Sequence, residues 1–230
     1  MTLSILYEKW GEGARAALKR VEEMVYPERA LCRSCGVATD GGVLCAGCRE
    51  RLQSDGFFFS WDREILADGE TVAWALRPHE GIARQMVIRL KYQAEACVAE
   101  ELAGLMEPVP AEVFLTPETV VTWVTMPASR RRERGIDHGR ALAEAVAGQL
   151  GLECRQLLDR AERGGKRQVK LNGEQRMKNL KGAFSPREKM DFPVLLVDDV
   201  RTTGTTALRC AEALRKGGAE RVTVLTITRR

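Results

Sequence analysis

No apolar run in this chain approaches the roughly 20 residues needed to span a bilayer, so membrane insertion is not expected. The opening stretch, MTLSILYEKWGEGARAALKR, lacks the basic start and unbroken apolar segment of a secretory signal. A cytoplasmic location is therefore expected, where thiols stay reduced. There is no G-K-[ST] phosphate loop, which speaks against an ATPase of that kind. There is no G-x-G-x-x-G after a strand pattern either, so a dinucleotide fingerprint is missing. Internal repeats and low-complexity tracts are absent. Charge of one sign is not in large excess: the formal net charge is +4, so any affinity for polyanions must come from local clusters.

What is present is an ordinary globular composition, with 44% apolar and 30% charged residues in 230. That length suits one large domain, or one domain and a small module. Residues 12–26 read as an amphipathic packing helix that stops at Pro27. GFFFSW, 56–61, reads as a core strand ahead of the alternative, a stacking surface for bases. ETVAWALRPHEG reads as another strand. Residues 81–106 predict one or two helices with Ile82, Met86, Leu90, Leu102 and Leu105 inward. Lys91 and Tyr92 are placed to face a ligand, although such residues more often only snorkel at a helix edge. Residues 107–119 hold three prolines and predict a loop. Beyond it, strands at 120–124, 152–158, 193–197 and 221–228 alternate with helices over 139–150 and 205–216. Strand–helix alternation of this kind predicts an α/β fold with a parallel, Rossmann-like sheet covered by helices.

Four cysteines stand in two pairs, Cys32-x2-Cys35 and Cys45-x2-Cys48. Two such turns can set four thiolates around a zinc ion, and Gly36, Gly41, Gly42 and Gly47 supply backbone freedom. With sulfur at every position no ligand site stays open, so a structural metal is expected. Cys97, Cys154 and Cys210 are isolated and expected in buried packing.

VLLVDDVRTTGTTA, 194–207, runs from a strand buried on both faces into two acids and a threonine–glycine loop. Ligands of parallel sheets bind beyond the carboxyl ends of the strands. A helix opens near Thr205, with its free amides and dipole facing that crevice. The hydroxyls and amides of Thr202, Thr203, Gly204, Thr205 and Thr206 suit a phosphate. Asp198 and Asp199 suit the vicinal hydroxyls of a ribose. Together they point to a ribose 5-phosphate group. Capping alone explains one acid and one threonine, not the whole string.

Residues 194–206 resemble the ribose-phosphate signature of type I phosphoribosyltransferases, which use phosphoribosyl pyrophosphate (PRPP). Arg201 stands where that signature has an aliphatic residue, adding a cation at the start of the loop. CRSCG…CAGC, IRLKY, MPASRRRERGIDHGRALAEAVA, EQRMKNLKGAF and VLLVDDVRTTGTTALRCAEALRKGGAERVTV occur in the order seen in the ComF family. The chain departs from that family at Ile136, Asp137 and His138, where members more often carry Phe-Asn-Gln.

The resemblance implies an N-terminal helix and a four-cysteine zinc-ribbon module over 1–55, and a phosphoribosyltransferase domain over 56–230. The latter divides into a hood or connecting region at 56–115 and a core at 119–230. It implies PRPP bound with magnesium, catalysis at Asp198 and Asp199, and a role in natural competence and DNA uptake. By the same resemblance, the loop of Pro127, Ala128, Ser129 and Arg130 contacts pyrophosphate, a leaving group that needs fixed positive charge. Arg131, Arg132, Arg134, Arg167 and Arg176 are further expected contacts for an anion or a nucleic-acid backbone. The basic stretch 160–181 corresponds to a mobile active-site loop in these enzymes, and equally suits a basic track for a nucleic-acid backbone. His138 reads as a polar helix-start residue rather than a catalytic base. Two other readings stay open beside the enzyme. One is a non-catalytic module for single-stranded DNA and competence-machinery proteins, and the other is a PRPP sensor.

Overall fold

The computed structural model describes residues 31–54, 61–93, 95–106, 108–113, 115–161 and 182–230. The expected helix over 12–26, most of the aromatic stretch 56–61, and most of 160–181 with Arg167 and Arg176 lie outside the described residues. The chain divides into two compact units, Met1–Arg51 and Leu52–Arg230.

In the first unit Leu31 bridges Ala38, closing a tight turn in which Gly36 takes a φ of 77° and its amide bonds the Cys32 carbonyl at 2.9 Å. Helix α1, Ala46–Ser54, starts inside the second cysteine pair.

The second unit is a six-stranded sheet with helices on both faces. β1 is Asp62–Ile65, β2 Val72–Pro78, β3 Val120–Trp123, β4 Glu153–Cys154, β7 Val194–Arg201 and β8 Val222–Arg229, in the order β1-β2-β8-β7-β3-β4. Only β1 runs antiparallel. The expected parallel, Rossmann-like sheet is thus present. Leu158–Arg160 (β5) and Phe184–Pro186 (β6) form a separate antiparallel pair. The predicted strand over 152–158 is therefore split. Only Glu153 and Cys154 join β3, while Leu157 turns away and gives its amide to Thr122 Oγ1 at 3.2 Å.

Helices α2 (Gly81–Tyr92) and α3 (Cys97–Gly104) follow β2, and all five residues expected inward there are buried. α4 (Ala128–Arg134) and α5 (His138–Leu150) follow β3, and α6 (Thr205–Lys216) follows β7. α5 ends where Gly151 adopts a φ of 66°, just past the helix expected over 139–150. β3 leads outward to β4, whereas β7 leads the opposite way to β8. Right-handed crossovers in opposite directions put α5 and α6 on opposite faces. The point where direction reverses lies between β3 and β7, and ligands of open α/β sheets bind at the strand ends of such a point.

VLLV is buried throughout, as expected of a strand covered on both sides. Val194 and Leu196 share a core with Ala207, Cys210 and Leu214 of α6. Of the three isolated cysteines only Cys210 is fully buried. Cys97 opens α3 and Cys154 sits on the short edge strand, and both are half-buried, so the expectation of buried packing fails for these two.

Candidate functional site

β7 does not stop before its acids. The strand continues through Asp198 and Asp199 to Arg201, in parallel register with β8. Its two-residue period directs Asp198 to the α6 side and Asp199 to the side of α2 and α5. The acids are therefore not equivalent. Asp199 is only 3% exposed and its Oδ1 meets Lys91 Nζ of α2 at 2.8 Å. His138 Nε2, at the start of α5, lies 3.3 Å from Oδ2. Asp198 is half-buried, and its Oδ1 accepts the Asp199 amide at 3.0 Å. Burial, then the charge of Asp199, pushes its pKa up from 3.8 to about 7.

His138 begins α5 as its sequence suggests, with Asp137 as the cap: Asp137 Oδ1 accepts the Arg140 amide at 3.2 Å. It is also a buried neighbour of the acid pair, which the sequence did not indicate. Burial lowers its pKa, the charges of Arg134 and Lys91 add to that, and Asp199 opposes it. Arg134 Nη1 lies 3.2 Å from both ring nitrogens, and its guanidinium sits over Tyr92 at 5.0 Å. Lys91 does not snorkel as expected, because the Asp199 carboxylate captures it.

After β7 the chain exposes Thr202 and Thr203, then turns at Gly204, whose φ is 69°. A Cβ there would lie 2.8 Å from Leu66 Cδ2. Gly204 is the N-cap residue and has no side chain with which to cap, and no acid occupies the first turn of α6. The first-turn amides of a 12-residue helix thus face the loop. Thr203 Oγ1 lies 2.9 Å from Thr205 Oγ1, so the hydroxyls converge.

Arg201 is turned away from this loop. It is 4% exposed and bonds Asp62 at 3.1 Å and Glu64 of β1. The cation expected at the loop start is therefore spent on the antiparallel edge strand.

Across the switch point, Thr125 follows β3 with a buried Oγ1 that has no partner among the described residues. Of the expected loop Pro127, Ala128, Ser129 and Arg130, all but Pro127 are helical. Pro127, with a φ of −58°, leads into α4, a run of Ala, Ser, Arg and Glu without β-branched residues, which ends at Gly135 in the left-handed region. Ser129, Arg130, Arg131 and Arg132 are exposed on it, and Arg134 is half-buried.

In the first unit the four sulfurs of Cys32, Cys35, Cys45 and Cys48 lie within 4.8 Å of one another. Ligands at about 2.3 Å from a tetrahedral zinc are about 3.8 Å apart, so this set fits such an ion. Donors already face the sulfurs: the Ser34 amide reaches Cys32 Sγ at 3.4 Å, and Arg51 Nη2 reaches Cys48 Sγ at 3.0 Å. Burial raises the Cys32 pKa, but amides of Cys35, Cys45 and Ser34 outweigh it and bring it to about 6. At Cys35 the Val37 amide pulls down, while Cys48, burial and the other two thiols push the pKa up to about 11.

No family model matches the chain. Among curated proteins it is 26% identical over 230 residues to the DNA utilization protein YhgH of Salmonella typhimurium, covering 94% of this chain and 88% of that one. It is 25% identical over 207 residues to competence protein F of Haemophilus influenzae, covering 81% and 90% respectively. Over most of its length the chain is thus similar to proteins named for DNA utilization and for competence. These similarities extend well beyond the cysteine pairs, IRLKY and VLLVDDVRTTGTTA, over 94% and 81% of the chain. Among solved structures, the glutamine PRPP amidotransferase of B. subtilis aligns with a TM-score of 0.40 at 18% identity, over 61% of this chain and 30% of that one. The orotate phosphoribosyltransferase of Aeropyrum pernix aligns with a TM-score of 0.36 at 20% identity, over 79% and 80%. The chain accordingly spans under a third of the amidotransferase. No helix among the described residues is long and apolar enough to cross a membrane.

Proposed function

We propose that the chain is a phosphoribosyltransferase-like protein that binds PRPP with magnesium at the crevice between β3 and β7, and that it serves DNA uptake or use. The domain limits follow the same reading: a helix and zinc module over 1–55, and a phosphoribosyltransferase-like domain over 56–230. One observation carries it. At the sheet's reversal point, two carboxylates and a helix start whose cap residue has no side chain are joined by a loop of threonines around Gly204.

In this reading the amides of α6 and the hydroxyls of Thr202, Thr203, Thr205 and Thr206 hold the 5-phosphate. Asp198 is the acid free to receive the ribose hydroxyls. Asp199, held by Lys91 and His138, acts as the fixed negative charge beside a sugar that turns cationic as its bond to pyrophosphate breaks. Pro127, Ser129 and Arg130 lie on the pyrophosphate side, and Thr125 Oγ1 offers an unspent donor there. Magnesium supplies charge neutralisation for the departing pyrophosphate. The zinc at Cys32, Cys35, Cys45 and Cys48 is structural.

Calorimetry of the whole chain with PRPP, with and without magnesium, tests this reading. Binding that is lost in Asp198→Asn and in Thr203→Ala supports it. Heat that is absent, or indifferent to both variants, overturns it. Pyrophosphate release in the presence of ammonia or nucleobases then separates an enzyme from a PRPP sensor.

A second reading has its own observation. Arg130, Arg131 and Arg132 are exposed on one short helix, and the relatives are named for DNA utilization and competence. Single-stranded DNA along this basic helix would bind with steep salt dependence and ignore Asp198→Asn.

A further inference from the structure

The carboxyl ends of β2 and β8 frame a cavity of about 560 Å³, lined by Pro78, His79, Glu80, Arg84, Arg229 and Arg230. β2, β8 and β7 are parallel, so it opens at the same end of the sheet as the acid pair, on the far side of β8. Three guanidinium groups meet one carboxylate there. Arg229 is already held by Asp62 at 3.0 Å. Arg84 and Arg230 make no ion pair among the described residues, although both are exposed and close enough to act on His79.

α2 also starts at this cavity. Its cap residue, Glu80, makes no side-chain capping bond, and its first turn holds no acid, so the positive end of a 12-residue helix adds to the guanidinium charge.

His79 connects the cavity to the fold. Thr228 Oγ1 lies 3.3 Å from the Asp199 carbonyl and donates to it. The same oxygen lies 2.9 Å from His79 Nδ1, which must then be the protonated nitrogen and the donor. Burial lowers the His79 pKa. Arg230, Lys91 and Arg84 lower it further, and only Asp199 opposes them. Glu80 is the one acid that lines the cavity.

We propose that this cavity binds a phosphate-type oxyanion, as carried by a small phosphorylated metabolite, at a site separate from the threonine loop. Two unspent guanidinium forks match the paired oxygens of such a group. The volume exceeds that of a lone phosphate and lies in the range of small-ligand sites, which leaves room for the body that carries it. The assignment stands whether or not PRPP occupies the crevice between β3 and β7.

The test uses the chain's two histidines, His79 and His138, whose ring signals can be followed separately by NMR. Millimolar inorganic pyrophosphate is expected to raise the His79 titration midpoint by about half a pH unit or more, relative to chloride at equal ionic strength. The Arg84→Ala/Arg230→Ala variant loses that response. Both side chains are exposed, so a thermal melt like the parent's is expected to show an intact fold. Thr203→Ala, in the loop after β7, keeps the response. A midpoint that follows ionic strength alone overturns the proposal. So does a response lost in Thr203→Ala but kept in the arginine variant, which would assign the anion to the threonine loop.

Discussion

Asp198→Asn separates the folding role of this acid from its binding role. Burial and the neighbouring Asp199 raise its pKa from 3.8 to about 7. A carboxyl whose folded pKa lies above its unfolded one favours the fold fully at pH below the unfolded value. That contribution is lost as pH climbs through the folded value, here across about pH 4 to 7. Each tenfold change in acidity is worth about 1.4 kcal/mol, so the rise to about 7 sets a ceiling of about 4 kcal/mol on the strain of ionising Asp198 in the fold. Between pH 5 and pH 8 the linkage relation gives about 2–3 kcal/mol of that ceiling, less whatever half-exposure returns. Asn keeps the shape and cannot ionise. Urea unfolding of both proteins at pH 5 and pH 8 is the assay. The variant is expected to gain on the parent as pH rises, because titrations outside the Asp198–Asp199 pair cancel in the comparison. At pH 8 the same variant is expected to lose PRPP. A stability difference that does not change with pH would refute the claim that Asp198 is a strained, half-buried acid.

Other consequences are open to direct measurement. PRPP affinity is expected to rise from pH 6 to pH 8, since a ribose hydroxyl bonded to Asp198 favours its ionised form, and below the pKa the gain approaches about tenfold per pH unit. Calorimetry in several buffers checks this through the proton released, and affinity that is flat with pH would contradict it. Lys91→Met leaves Asp199 buried with one fewer partner, and is expected to cost about 3 kcal/mol in denaturant unfolding. A cost near zero would show that the pair does not hold the acid. Gly204→Ala meets both the positive φ and Leu66, and is expected to lose about 1–2 kcal/mol. Adding Leu66→Ala does not restore that loss if φ is the cause. The purified chain is expected to carry one zinc per molecule by elemental analysis, and the Cys32→Ser/Cys48→Ser variant none.

The features legible in the sequence were the local ones. A cysteine spacing, a continuous apolar strand, a threonine–glycine string and a helix periodicity over 139–150 each express a constraint among near neighbours. So the parallel sheet, the clustered sulfurs and the loop before α6 were expected where they stand. The partners of Asp199, Lys91 and His138, come from helices that precede β7 by long stretches of chain, and no local pattern marks them. The period of β7 did mark something that the quoted motif hid. Two adjacent acids on a strand cannot face the same way. Once the strand is known to run on to Arg201, one acid must meet the helices on the α2 and α5 side. The same extension explains Arg201, which lies too far along β7 to serve the threonine loop and is drawn to Asp62 and Glu64 instead. The departures at Arg201 and at 128–134 share a physical source. Their polar residues suggest loops, whereas strand pairing with β8 and the helix propensity of 128–134 decide otherwise. Polar residues at the carboxyl edge of a parallel sheet are built into its strands and helices. Their chemistry there is set less by their neighbours in sequence than by the side chains that arrive from the elements packed on each face.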